Sequence, residues 1–151
     1  MAKVKVGKGI SEYTKQMTKL YDLSQSAIGK SIYQGANIVW EAIRSEIRAL
    51  PSSSCSPIEK ADLIESFGVA RMQFRNNFNN VKTGFDGYNR IKTKKFPNGQ
   101  PNAMIARSIV SGTSFRAKND FVGRAVRKVG DAAEETMRAE FDKQLAALWP
   151  S

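Results

Sequence analysis

Val69-Ala70-Arg71-Met72-Gln73-Phe74-Arg75 is where the hydrophobic period of the chain changes from helical to two. In an extended backbone Ala70, Met72 and Phe74 share one face, and Val69, Arg71, Gln73 and Arg75 the other, the pattern of a half-buried strand. Asn76, Asn77, Asn79 and Asn80 follow as turn residues. A second strand is predicted over Val81–Phe85, where Asp86-Gly87 is a two-residue hairpin signal, with a returning arm through Tyr88–Phe96. That arm places Arg90, Lys92 and Lys94 on one strand face, and Pro97–Pro101 closes it as a loop.

On the N-terminal side the period is 3.6. Residues 1–10 read as an irregular lead-in. Ser11 is a plausible N-cap for a helix carrying Tyr13, Met17, Leu20 and Tyr21. A longer helix is predicted after Ser24, with the stripe Ile28, Ile32, Val39, Ile43, Ile47 and Leu50, ended by Pro51. Gly29 and Gly35 are costly inside it and point to close approach by a neighbour. Ser56-Pro57-Ile58-Glu59 combines a capping box with Pro at the first helical position, so a short helix runs from there to Phe67, stopped by Gly68. On the C-terminal side Met104–Val110 reads as a buried strand. Asn119 or Asp120 then caps a long helix with Phe121, Val122, Val126, Val129, Met137, Phe141, Leu145 and Leu148 on its apolar face. The class is α+β, one domain over residues 1–151: long N-terminal helices, a small antiparallel sheet with a basic hairpin at 82–103, and a long C-terminal helix.

Composition narrows the chemistry. The chain has 151 residues and no run approaching a membrane span or a signal-peptide core, and it reads as soluble. Histidine is absent and Cys55 is the single cysteine, which removes His-based catalysis, disulfides and Cys/His metal sites. Gly29-Lys30-Ser31 matches only the tail of a phosphate-binding loop, within a predicted helix. Asp62/Glu65 and Glu134/Glu135 read as solvated helix surface. Cys55 lies in a Ser-rich loop with nothing to activate it. A metal-dependent nuclease on Asp62 or Asp86 is the remaining enzymatic alternative; otherwise no catalytic, cofactor or metal site is expected.

The net charge is +10. Residues 69–128 hold thirteen Lys and Arg against Asp86 and Asp120, so the whole excess lies mid-chain. A solvated basic surface, a surface for an acidic protein and a surface for nucleic acid all fit. The expected contact residues are Arg71, Arg75, Arg90, Lys92, Lys94, Lys95, Arg124 and Arg127. Trp149 joins them, since a terminal indole must dock on the domain or on another subunit.

Ile105-Ala106-Arg107-Ser108-Ile109-Val110-Ser111-Gly112-Thr113-Ser114 and Asn119-Asp120-Phe121-Val122-Gly123-Arg124-Ala125, in this order of elements, resemble the tail-completion or head–tail joining proteins of tailed bacteriophages. In that family a strand commonly ends in Glu-aromatic-Gly-Thr, and Pro-Phe-x-x-x-Ala opens the last helix. Gly112, Thr113, Phe121 and Ala125 match; Val110, Ser111 and Asp120 depart. Of the family's Thr-Gly-x-Leu, only Leu63 in Lys60-Ala61-Asp62-Leu63 fits, with Ser66 after it. The resemblance implies a non-enzymatic virion protein, assembled in the host cytoplasm into a ring of six or twelve copies around the DNA channel. Its partners would be connector, neck and tail proteins, with non-specific contact to double-stranded DNA possible and no membrane contact. A protein interface is the favoured role for most of the basic residues, because tight binding to DNA in the lumen would hinder ejection. A tail-terminator ring protein and a small non-specific nucleic-acid-binding module are the alternatives.

Overall fold

The computed structural model describes residues 8–76 and 78–148. Its elements are α1 (Lys8–Arg48), α2 (Pro57–Ser66), β1 (Phe67–Val69), β2 (Gln73–Arg75), β3 (Phe78–Asn80), β4 (Thr83–Phe85), α3 (Asn102–Ser111) and α4 (Phe121–Leu148). The class is α+β, dominated by the two long helices.

The two expected N-terminal helices are one. Ser24 does not break α1, because its hydroxyl donates to the Tyr21 carbonyl at 2.7 Å inside the helix. The helix starts at Lys8, so residues 8–10 are not irregular; residues 1–7 lie outside the described chain. It ends at Arg48, and Leu50 is buried just beyond it. Lys60 closes that end by donating Nζ–H bonds to the Arg48 and Leu50 carbonyls at 3.2 and 2.6 Å, a cation where the helix dipole is negative.

Antiparallel packing of α4 on α1 forms the spine. Glu46 meets Arg124, Gly35 lies against Met137 and Ala133, and Lys30 meets Gln144. Gly35 lets α4 approach closely here, since a Cβ would overlap the Met137 side chain unless it moved; Gly29 likewise faces Met72. Gly29-Lys30-Ser31 is therefore helix interior, with Ser31 Oγ–H donating to the Ala27 carbonyl.

The head sits at the C-terminal end of α1. The capping box is present in full: Glu59 N–H donates to Ser56 Oγ, and Ser56 N–H to Glu59 Oε2. Ile43, Ile47, Leu63, Phe67, Ile105, Ile109 and Phe121 form the core, each contributing about 1.5–3 kcal/mol by leaving water. Trp40 Nε1–H donates to the Phe67 carbonyl at 2.9 Å, fixing β1 against α1.

The single small sheet resolves into two two-stranded ones. β4 pairs back with β1, in the register Phe67↔Phe85, Gly68↔Gly84 and Val69↔Thr83. β2 pairs with β3 in a hairpin turning through Asn76, whose φ is +52°. The predicted 69–75 strand is thus split between two sheets by residues 70–72. Nor does Asp86-Gly87 join two strands: Asp86 Oδ1 accepts from the Gly87 N–H, and Tyr88–Phe96 forms no strand, so Arg90, Lys92 and Lys94 share no strand face. Finally, Met104–Val110 is helix, not strand. Ile105, Ala106 and Ile109 face inward at helical spacing, and Asn102 fixes the start of α3 by donating its N–H to the Gly87 carbonyl. At the start of α4, Asp120 Oδ1 accepts from the Gly123 N–H at 3.0 Å, the expected cap.

Glu59 also ties the head together. Arg116 donates to its Oε1 at 2.8 Å and to its Oε2 at 3.2 Å, with both side chains largely buried. Burial pushes the carboxyl pKa up, but the Arg116 bonds and those from Ser56 more than offset it, leaving the pKa below the ordinary 4.5. The stabilisation is therefore complete above that ordinary value and is lost as pH falls through the lower folded one. Glu59→Gln should cost about 1.5–3 kcal/mol at neutral pH. In urea titrations, the gap between variant and wild type should close in acid. A gap that is constant from neutral pH to pH 3 would contradict an ionised Glu59 in this pair.

Candidate partner-binding surface

The segment from Arg90 to Asn98 is a pinned loop. Asn89 N–H donates to the Gln100 carbonyl at 2.9 Å, and Gln100 N–H returns to Asn89 Oδ1 at 2.8 Å. Outside that pair, Tyr88 bridges Pro101, and Asn102 Nδ2–H donates to the Asp86 carbonyl at 2.9 Å. Gly99, with φ at +89°, lies directly on the Asn89 carbonyl, where no side chain fits. At the tip, Thr93 and Phe96 exchange backbone bonds of 3.0 and 3.1 Å, so Lys94 and Lys95 occupy the apex of a closed turn.

Arg90 belongs to the foundation of this loop. Its backbone N–H donates to Asp62 Oδ2 at 2.9 Å, its Nε–H to Asp62 Oδ1 and its Nη2–H to Glu65 Oε2 at 3.1 Å. The Asp62 bond, reinforced by the charges of Asp62 and Glu65, holds the Arg90 pKa above its ordinary value. Asp62 is consequently a buried structural acid rather than a solvated one.

The remaining expected contact residues divide among separate places. Arg124 is bound by Glu46 at 2.6 Å and by Asn119 at 2.9 Å, and Arg127 reaches Asp120 at 3.5 Å. Arg71 and Arg75 belong to the β2–β3 segment. It rests on the middle of α1, with Met72 N–H donating to the Tyr33 hydroxyl and Asn79 Nδ2–H to Gln25 Oε1. These arginines thus sit on a segment anchored to α1, while the loop is anchored to α2. Among the described residues Arg71, Arg75, Lys92, Lys94 and Lys95 are exposed and have no carboxylate partner. Trp149 lies outside the described residues.

A cavity of about 460 Å³ beside β1 and β4 has Lys82 and Asp86 as its ionisable lining residues over a floor that includes Gly68 and Gly84. Among the described residues no three Cys, Asp or Glu gather as a metal site. Cys55 is buried, and burial, then Glu59, push its thiol up to about 11, so it is a poor nucleophile. Local sequence carries no signal for Asp62, Glu46 or Glu59 as partners of distant arginines, because those pairings span 28, 78 and 57 residues.

No helix among the described residues is long and apolar enough to cross a membrane. Comparison with protein-family models, curated proteins and solved structures finds no match to this chain.

Proposed function

We propose that the chain is a non-enzymatic assembly subunit of the head–tail junction of a tailed bacteriophage. In this role the clasped loop presents Lys92, Lys94 and Lys95 to an acidic face of a neighbouring protein. The observation that carries this reading is the clustering of those lysines at one closed turn. The lysines are held outward without a carboxylate partner, while Glu59, Asp62, Glu65 and Glu46 are engaged by arginines. Of the residues matching the phage motif, Phe121 and Ala125 support it, since both are fully buried at the start of the last helix, whereas Gly112 and Thr113 follow a helix here and not the family's strand.

Anchoring of the basic residues on different elements favours a protein partner over DNA, because phosphate-driven binding grows with the number of contacts and a three-lysine turn offers few. Light scattering with and without a 30-base-pair duplex, at about 100 and 500 mM salt, tests the reading. A mass unchanged by DNA at both salts is the expected result. A complex at low salt that dissolves at high salt, and that Lys92→Glu/Lys94→Glu/Lys95→Glu abolishes, would overturn it in favour of a nucleic-acid-binding module.

A further inference from the structure

Among the described residues the N-terminal part of α1 has no partner. With Lys30 against Gln144, the end of α4 at Leu148 falls near Ser26, and α1 continues for about another 25 Å to Lys8. Along it Ile10, Tyr13, Met17 and Tyr21 are 63%, 63%, 46% and 58% exposed. Eighteen residues make five helical turns, so each shares a direction with the residue eighteen positions on. Those residues are Ile28, Ser31, Gly35 and Val39, and all four line grooves of the α1–α4 seam with Met137. The exposed stripe is thus the α4-covered face of α1, prolonged past the end of α4. Glu12, Lys15, Lys19 and Asp22 fall on the opposite side of the helix.

We infer that this stripe is covered by the same segment of a second copy of the chain, packed antiparallel. Two observations select that occupant. A parallel copy would run its own α1 into the track occupied by α4, whereas an antiparallel copy begins where α4 stops and follows the same line. That places the positive end of one α1 beside the negative end of the other copy's α4. The spacing about Lys15 also brings apolar residues together: Tyr13 meets Met17 of the other copy and Ile10 meets its half-buried Leu20, with Tyr21 over Gly9 and the charges outside the seam. The pair is a state of the free chain and does not depend on what the lysine loop binds.

Sedimentation velocity between 1 and 200 µM tests the pairing. Wild type should convert from monomer to dimer within this range, as fits an interface below standard size. Tyr13→Glu/Met17→Glu should move the midpoint at least tenfold upward with unchanged circular dichroism, and Lys94→Glu/Lys95→Glu should leave it in place. Oxidative cross-linking fixes the direction, with Cys55 buried and poorly reactive. A mixture of Tyr13→Cys and Met17→Cys proteins should cross-link more than either alone. A monomer at 200 µM, a dimer indifferent to the glutamates, or preferential Met17→Cys self-linking would overturn the proposal. So would nitration of Tyr13 that speeds up only when residues 1–7 are removed, which would assign the stripe to the chain's own N-terminus.

Discussion

Phe121→Ala should remove most of the stability of the domain. The ring is fully buried, stands edge-on to Phe85 with centroids 6.4 Å apart, and fills the core shared by α1, α2 and α3 at the point where α4 begins. Truncating such a residue costs about 3–5 kcal/mol, from lost transfer energy and from the cavity left behind. Against a total of about 5–15 kcal/mol, that is the difference between a folded and a marginal protein. The urea midpoint should fall by about 2 M with little change in slope. Phe121→Leu, which keeps much of the volume, should recover more than half of the loss. A midpoint shift below about 0.5 M for the alanine variant would mean that Phe121 does not sit at the centre of the core.

Gly99→Ala should open the lysine loop. Its positive φ costs a non-glycine residue about 1–3 kcal/mol, and here the added methyl also lands on the Asn89 carbonyl. Relief requires the Asn89–Gln100 pair to separate, and that pair closes the loop. Trypsin reports this directly, because Lys92, Lys94 and Lys95 all lie within the closed segment. Cleavage there should accelerate at least tenfold in the variant, under conditions where the urea midpoint falls only modestly. Equal cleavage rates would show that the loop is not held by this clasp. Gly87→Ala, whose Cβ meets no neighbour despite a φ of +66°, separates backbone strain from the carbonyl clash.

Local signals were readable where local chemistry decides. The Ser56–Glu59 box and the Asp120 cap each act within three residues, and each sits where the sequence places it. The apolar run at 104–110 misled for a physical reason. Over seven residues an inward-facing helix and a buried strand are equally apolar, and Pro101-Asn102 was the overlooked sign of a helix start. Asp86-Gly87 supplied the expected bend, but the strand it follows found a better partner in β1, where Phe67 and Phe85 stack at 4.8 Å. Ser24 suggests a break that α1 does not have, whereas Gly29 and Gly35 mark close approach, and Met72 and Met137 do lie against them. For the basic surface, charge was legible but its neutralisation was not. A window sum counts Arg90, Arg116 and Arg124 as free, whereas Asp62, Glu59 and Glu46 reach them from outside the window.

The spine joins the first helix of the chain to its last, and this sets an order of events during synthesis. Lys30 and Gln144 are separated by 114 residues, so α1 leaves the ribosome long before α4 exists. At about 5–20 residues per second, the seventy-odd residues from the end of α1 to the start of α4 take several seconds to make. Throughout that interval Ile28, Ile32 and Val39 lack the cover that α4 later supplies. A nascent chain of this design depends on the translation machinery, a holdase or a neighbouring nascent copy to shield its first helix. Ribosomes paused before residue 121 should therefore carry the most chaperone-bound chains.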